Sequence, residues 1–168
     1  MINEKVIATA QSYIGKKEKT GNSGFADQLF EQKMKAVGFQ TGQSWCAYFA
    51  ELVWKESFGK DHPLFTAIDH LFSASAVATF SNFKNSTLFK TGNVPKPGAV
   101  IIWRHGAGWQ GHAGIVETIA NGSFTSIEGN TNAAGGREGI EVARKTRKTG
   151  EAFKANGLNI VGFIYLPE

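Results

Sequence analysis

The sequence predicts an α+β fold, with N-terminal helices packed on a C-terminal antiparallel β-sheet. Three observations carry this expectation. Apolar residues recur at helical spacing up to about residue 90, then give way to short strand-like runs after Pro95-Lys-Pro-Gly98. Helices grouped ahead of strands, without alternation, indicate an antiparallel sheet in place of βαβ units. The 168 residues match one ordinary domain in size, and no linker, repeat or low-complexity tract divides them, so residues 1–168 are expected to form a single domain.

Each element has its own signal. Ile2, Val6, Ile7, Ala10, Tyr13 and Ile14 line one face of a first helix that Gly15 ends. Phe25, Leu29, Phe30, Lys33, Met34 and Val37 predict a second helix, stopped by Gly38. A third starts after Ser44, its expected N-cap, and runs through Phe49, Val53 and Trp54 to Gly59. A shorter helix is expected from Ser75 to Phe83. Strands are predicted at Ala99–Arg104, His112–Ile119, Ser123–Asn130, Gly139–Arg147 and Asn159–Leu166. Thr131–Arg137, with Ala-Ala-Gly-Gly inside it, reads as the most mobile loop.

Composition removes several functional classes. With 42% apolar and 19% charged residues, the chain is no disordered tail. Its longest apolar stretches, Val100–Trp103 and Ile160–Leu166, are far short of a membrane span. The single cysteine, Cys46, rules out an internal disulfide and a cysteine-rich zinc site. A net charge of +4 suits a polyanion such as a bacterial cell wall, but no long basic run interleaved with aromatics points to nucleic acid. The cluster Arg144, Lys145, Arg147 and Lys148 reads as a solvated strand edge or turn. The first ten residues lack an apolar run long enough for a secretory signal. The protein is therefore expected to be made in the cytoplasm and released or exported by another route.

The chemistry centres on Cys46 and one histidine. Gly42-Gln-Ser-Trp-Cys-Ala47 places Cys46 in the first turn of the third helix, where unpaired N–H groups and the helix dipole favour a thiolate. Alone, it reads first as a small buried apolar residue, and it needs a partner base before it counts as a nucleophile. His62 and His70 read as surface or helix-end residues, whereas His112 opens a strand that turns at Ala120-Asn-Gly122 and returns through Glu128 to Asn130. Two turns compete there. A two-residue Asn121-Gly122 loop is the stronger local signal. A three-residue loop pairs Ile119 with Ser123, Gly114 with Glu128 and His112 with Asn130. The second gathers Ile115, Ile119 and Ile127 on one face and His112, Val116, Glu128 and Asn130 on the other, and is preferred. Glu128 or Asn130 could then fix the histidine's tautomer while its other nitrogen faces a thiol.

The ordered set Trp45-Cys-Ala-Tyr-Phe49, Pro95-Lys-Pro-Gly-Ala-Val-Ile-Ile-Trp103, Gly111-His-Ala-Gly-Ile-Val116 and Ile127-Glu-Gly-Asn130 resembles a CHAP domain, a papain-like cysteine, histidine-dependent amidohydrolase or peptidase related to NlpC/P60. The resemblance spans nearly the whole chain, from Tyr13–Glu18 to Val161–Tyr165. It implies a papain-like fold and cleavage of an amide bond in peptidoglycan, as an amidase or endopeptidase, by a phage lysin, autolysin or antibacterial effector. It implies Cys46 as nucleophile, His112 as base, Glu128 as the orienting third member, and Asn130 assisting the histidine or the oxyanion. Gln43 or Ser44 is the candidate oxyanion donor, and Trp45, Trp109 and Gln43 are the candidate substrate-binding residues. Trp109 lies in the glycine-rich loop before His112, while Trp103 reads as core. No acidic calcium loop precedes the cysteine, so no metal or other cofactor is expected. The expected partners are peptidoglycan, with no nucleic acid and no membrane span, and an immunity protein only if the chain is an effector; the chain is expected to be a monomer. Alternatives are a papain-like deamidase or transglutaminase-type toxin acting on protein, and a non-catalytic wall-binding domain.

Overall fold

The computed structural model describes residues 1–131 and 139–168. Five helices come first among them: α1 (Ile2–Ser12), α2 (Gln28–Ala36), α3 (Cys46–Phe58), α4 (Phe65–Leu71) and α5 (Ala76–Asn85). Six strands follow: β1 (Thr91–Gly92), β2 (Val100–His105), β3 (Gly111–Ala120), β4 (Ser123–Thr131), β5 (Glu141–Lys148) and β6 (Leu158–Ile164). They form one sheet in the order β1-β6-β2-β3-β4-β5, with every pair antiparallel. This is the expected α+β arrangement. The expectation missed α4 and β1, both very short. Of the loop expected at Thr131–Arg137, only the backbone of Thr131 is described, as the end of β4; the remainder lies outside the described residues.

Helix α3 is the hub. Eleven of its thirteen residues are buried, and it packs on the other helices and on β3 and β4. A helix apolar on all sides has to be enclosed on all sides, which fixes its central place. The Trp54 indole donates to the Gly98 carbonyl at 3.2 Å and tethers α3 to the start of β2. Phe72, Phe83 and Phe89 crowd the Trp54 ring, with centroids 5.8–6.0 Å away. Burial of each such ring contributes about 1.5–3 kcal/mol.

The sheet has two apolar faces. Val100, Ile102, Ala113, Ile115, Ile127 and Ile164 face the helices, while Ile101, Trp103, Val116, Phe124 and Phe163 form a second cluster on the other side. A strand buried on both faces reads as a continuous apolar run, and this explains Ala99–Trp103.

Strand β4 comes very close to α3 because Gly129 has no side chain. A Cβ there would lie 2.6 Å from Trp45 Cζ3 and 2.8 Å from Phe49 Cβ. Gly129→Val is therefore expected to destabilise the protein by about 1–3 kcal/mol through overpacking. Thermal unfolding should show a midpoint lowered by several degrees.

The β3–β4 turn corrects the preferred register in part. Ala120 pairs with Ser123, so the loop is the two-residue Asn121-Gly122, with φ of 20° and 75°. That left-handed pair is the local Asn-Gly signal prevailing. Ile119 pairs with Phe124, not Ser123, and is 46% exposed, outside the isoleucine face. A register shift between Val116 and Thr118 then moves the ladder by one residue, so Val116 meets Ser126 and Ile115 meets Ile127. At these two pairs the register is the expected one. Gly114 faces Glu128, and a Cβ on Gly114 would come within 2.7 Å of Glu128 Cγ.

Candidate active site

Four elements of the fold each bring one group to the site. Helix α3 begins with Cys46, β3 carries His112, β4 carries Glu128, and the edge strand β5 adds Arg147. The N-cap of α3 is Trp45, not the expected Ser44, and no side chain caps it. No acidic residue lies in the first turn. The positive end of the helix is thus left for the sulfur.

Cys46 and His112 are both buried and titrate as a pair. Burial pushes the Cys46 thiol up, but the His112 imidazole and the backbone N–H groups of Ala113 and Ala47 outweigh it, so the thiol lies below its ordinary value. Burial likewise pushes His112 down, and the Cys46 sulfur and the Glu128 carboxylate reverse this to hold it above an ordinary histidine. The two shifts are coupled, each group favouring the charged form of the other.

Glu128 sets the ring's orientation. The His112 Nε2–H donates to Glu128 Oε2 at 2.8 Å, a tautomer assigned from the hydrogen-bond network. Nδ1 is buried and has no hydrogen-bond partner of regular geometry among the described residues. It is the nitrogen left for the thiol. Glu128 is itself fully buried and receives the Ser126 hydroxyl on Oε1 at 2.5 Å. Arg147 donates Nε–H to Oε1 at 2.9 Å and Nη2–H to Oε2 at 2.5 Å. Burial would raise the Glu128 carboxyl, yet the hydrogen bonds and charges of His112 and Arg147 lower it to about 2. It is a carboxylate at neutral pH.

Trp103 joins this assembly from β2. Its ring lies 5.6 Å from the His112 ring at 31°, and the Arg147 guanidinium sits 5.1 Å above it. Trp103 is core, as expected, and also walls the imidazole.

The other candidates fall into three groups. Asn130 is buried at the end of β4, with a left-handed φ of 52° that asparagine tolerates. Gln43 is half-buried just ahead of Cys46; its side-chain oxygen accepts from the Gln40 N–H at 3.0 Å, and its amide lies within reach of the Tyr48 hydroxyl. Ser44 and Trp109 are exposed, Trp109 at 81%. Trp45 is a correction: its ring is fully buried against Phe25, Phe30 and Phe49, so it packs the core beneath the cysteine and cannot touch a substrate.

Sequence reasoning missed Ser126 and Arg147. The basic cluster does lie on an edge strand, and Arg144 and Lys148 are exposed there as expected, but Arg147 and Lys145 turn inward. Arg144 pairs with Glu117 at 2.6 and 2.7 Å, and Lys145 is buried. Strand alternation could have flagged Arg147, since it shares a face with Lys145 and, across the ladder, with Phe124 and Ser126. Among the described residues, no three His, Cys, Asp or Glu side chains converge as a metal would require. No helix among the described residues is long and apolar enough to cross a membrane.

The arrangement can activate a thiol, hold its proton on a neighbouring imidazole and return that proton to a leaving group. Comparisons with known proteins agree with the fold that carries it. The family model of the CHAP domain matches residues 38–130, which include Cys46, His112, Glu128 and Asn130. No curated protein matches the chain. Among solved structures, the wild-type endolysin LysIME-EF1 is similar in fold, with a TM-score of 0.57 at 19% identity. The match covers 98% of this chain and 64% of the endolysin chain, so this chain spans less than two thirds of its structural neighbour.

Proposed function

Because the chain belongs to the CHAP domain family, we propose that it is a peptidoglycan hydrolase that cleaves an amide bond of the bacterial cell wall, with Cys46 as nucleophile and His112 as base. The observation that carries this reading is the buried run from Cys46 through His112 to Glu128, at the N-terminus of α3.

The Cys46 thiolate attacks the amide carbonyl and forms the C–S bond, and the oxygen takes up the negative charge. The Cys46 N–H at the open helix end and a second donor, Gln43 or Ser44, hold that oxyanion. His112 gives its Nδ1 proton to the amine nitrogen as the C–N bond breaks, leaving an acyl-enzyme and a neutral imidazole. A water then loses a proton to Nδ1 and attacks the thioester, which releases the acid and restores the thiolate–imidazolium pair. Glu128 keeps Nε2 protonated throughout, as the orienting member of the set, and Asn130 assists the histidine or the oxyanion. Trp109, exposed on the loop ahead of His112, offers a ring face to a sugar or peptide stem. The chain acts on the wall as a monomer. An immunity protein is a partner only if it serves as an effector.

Mass spectrometry of muropeptides from digested sacculi tests the proposal. New free amino groups are expected. Their position separates an amidase, which frees the stem from the glycan, from an endopeptidase, which cuts within the stem or cross-bridge. Intact muropeptides together with deamidated or cross-linked protein substrate would overturn it in favour of a protein-modifying toxin.

A further inference from the structure

We infer that Arg147, on the edge strand β5, is a positioning residue that clamps Glu128 for its work on His112, with Trp103 as the platform beneath it. The inference rests on the cysteine–histidine mechanism proposed above and extends it to a fourth element of the fold.

The geometry is that of a fork closed on both oxygens of one carboxylate. Oε1 takes the Arg147 Nε–H and the Ser126 hydroxyl, and Oε2 takes the Arg147 Nη2–H and the His112 Nε2–H. Four donors fill the four acceptor directions a carboxylate offers. A glutamate's last torsion is otherwise broad and nearly unconstrained. Ser126 and His112 alone would pin one oxygen each by single contacts, whereas the planar fork fixes the plane of the whole group. Arg147 is held in turn: its guanidinium lies over the Trp103 ring at 5.1 Å, and its side chain is only 18% exposed. Trp103 also flanks the His112 ring. One aromatic surface thus registers both the clamp and the imidazole that the clamped carboxylate orients.

The charge balance gives the same role. Glu128 is buried and carries a negative charge. Besides the imidazole, the buried Lys145 ammonium acts on it through space but donates it no hydrogen bond among the described residues. The directed cationic contacts therefore come from His112 and Arg147. Arg147 keeps that charge in place whatever the protonation state of His112, so Nε2 stays a donor even while Nδ1 is neutral during deacylation. Lysine could supply the charge but not the two-pronged geometry or the stacking.

The test compares Arg147→Ala and Arg147→Lys with Arg144→Ala. The last removes an equivalent fork from the same strand, one held on Glu117 at 2.6 and 2.7 Å. Turnover of soluble peptidoglycan fragments and the pH profile of Cys46 alkylation are both read, and Cys46 is the sole cysteine, so labelling is unambiguous. Arg147→Ala is expected to lower kcat on the order of 10- to 100-fold, the scale typical of losing an outer hydrogen-bond partner of a functional histidine, with KM nearly unchanged. The acid limb of alkylation should move to higher pH, because a loosened carboxylate supports the imidazolium less well. Millimolar guanidinium should restore part of both in Arg147→Ala, and Arg147→Lys should fall between it and the wild type. Arg144→Ala should match the wild type. Wild-type turnover and alkylation in Arg147→Ala would overturn the role. So would a loss equalled in Arg144→Ala, since that marks general damage to β5. If no protein turns over peptidoglycan yet the alkylation profile shifts as stated, the clamp stands and the substrate assignment falls.

Discussion

Cys46→Ala is expected to abolish lysis of purified sacculi, lowering the rate by on the order of 10³-fold or more, while the protein still folds. Alanine keeps the small apolar body of a residue buried at the start of α3 and removes only the sulfur. Little packing is lost, so a thermal midpoint within a few degrees of the wild type should accompany the loss of lysis. Cys46→Ser should behave almost the same. A hydroxyl at this position is far harder to ionise than a thiol, and one imidazole and a helix end do not close that gap. Lysis near the wild-type rate by either variant would remove the cysteine from the mechanism.

Glu128→Gln is expected to lower activity by on the order of 10²- to 10⁴-fold, the range for losing the residue that holds a catalytic imidazole in its tautomer. A glutamine presents one acceptor and one donor in place of two acceptors, so either the His112 Nε2–H or one prong of Arg147 meets an N–H. The variant should also be less stable by on the order of 3 kcal/mol, because Arg147 and His112 lose the buried charge they enclose. Its pH dependence gives a second check. Glu128 is lowered to about 2 from an ordinary value of 4.5, so its contribution to stability is complete above about pH 4.5 and is lost as pH falls toward 2. Urea unfolding measured at pH 5 and near pH 2.5 should show a smaller difference for Glu128→Gln than for the wild type. Glu117, also lowered to about 2 through hydrogen bonds from Arg144 and others, keeps the remaining acid sensitivity in that variant.

Much of the fold could be read from the chain because its patterns are local. The apolar faces of α1, α2, α3 and α5 and the five long strands lie within a few residues of their expected limits. Helix α4 escaped because seven residues after Pro63-Leu64 are too few for a period to register. The β3–β4 hairpin shows a different limit. The Asn-Gly signal and the sorting of residues onto faces each pointed to a different register, and the shift between Val116 and Thr118 satisfies both. No propensity marks Glu117 as the residue that absorbs the difference.

The candidate site divides along the same line. Cys46, His112 and Glu128 could be found from a helix start and one hairpin, since each stands on a recognisable local feature. Trp45 could not be placed, because an aromatic beside a cysteine reads equally well as wall or core until Phe25 and Phe30 from elsewhere in the chain enclose it. Arg147 needed the pairing of β4 with β5, and that pairing is set by long-range packing. In sequence it was one basic residue among four.

The rate of Cys46 alkylation by iodoacetamide, followed from pH 4 to 10 on the folded protein, tests the thiolate–imidazolium pair most directly. The account predicts fast reaction well below the ordinary thiol value near 9, with an acid limb that moves upward when His112 is replaced by glutamine. A single rise at the pH of an ordinary thiol, the same with and without His112, would contradict it.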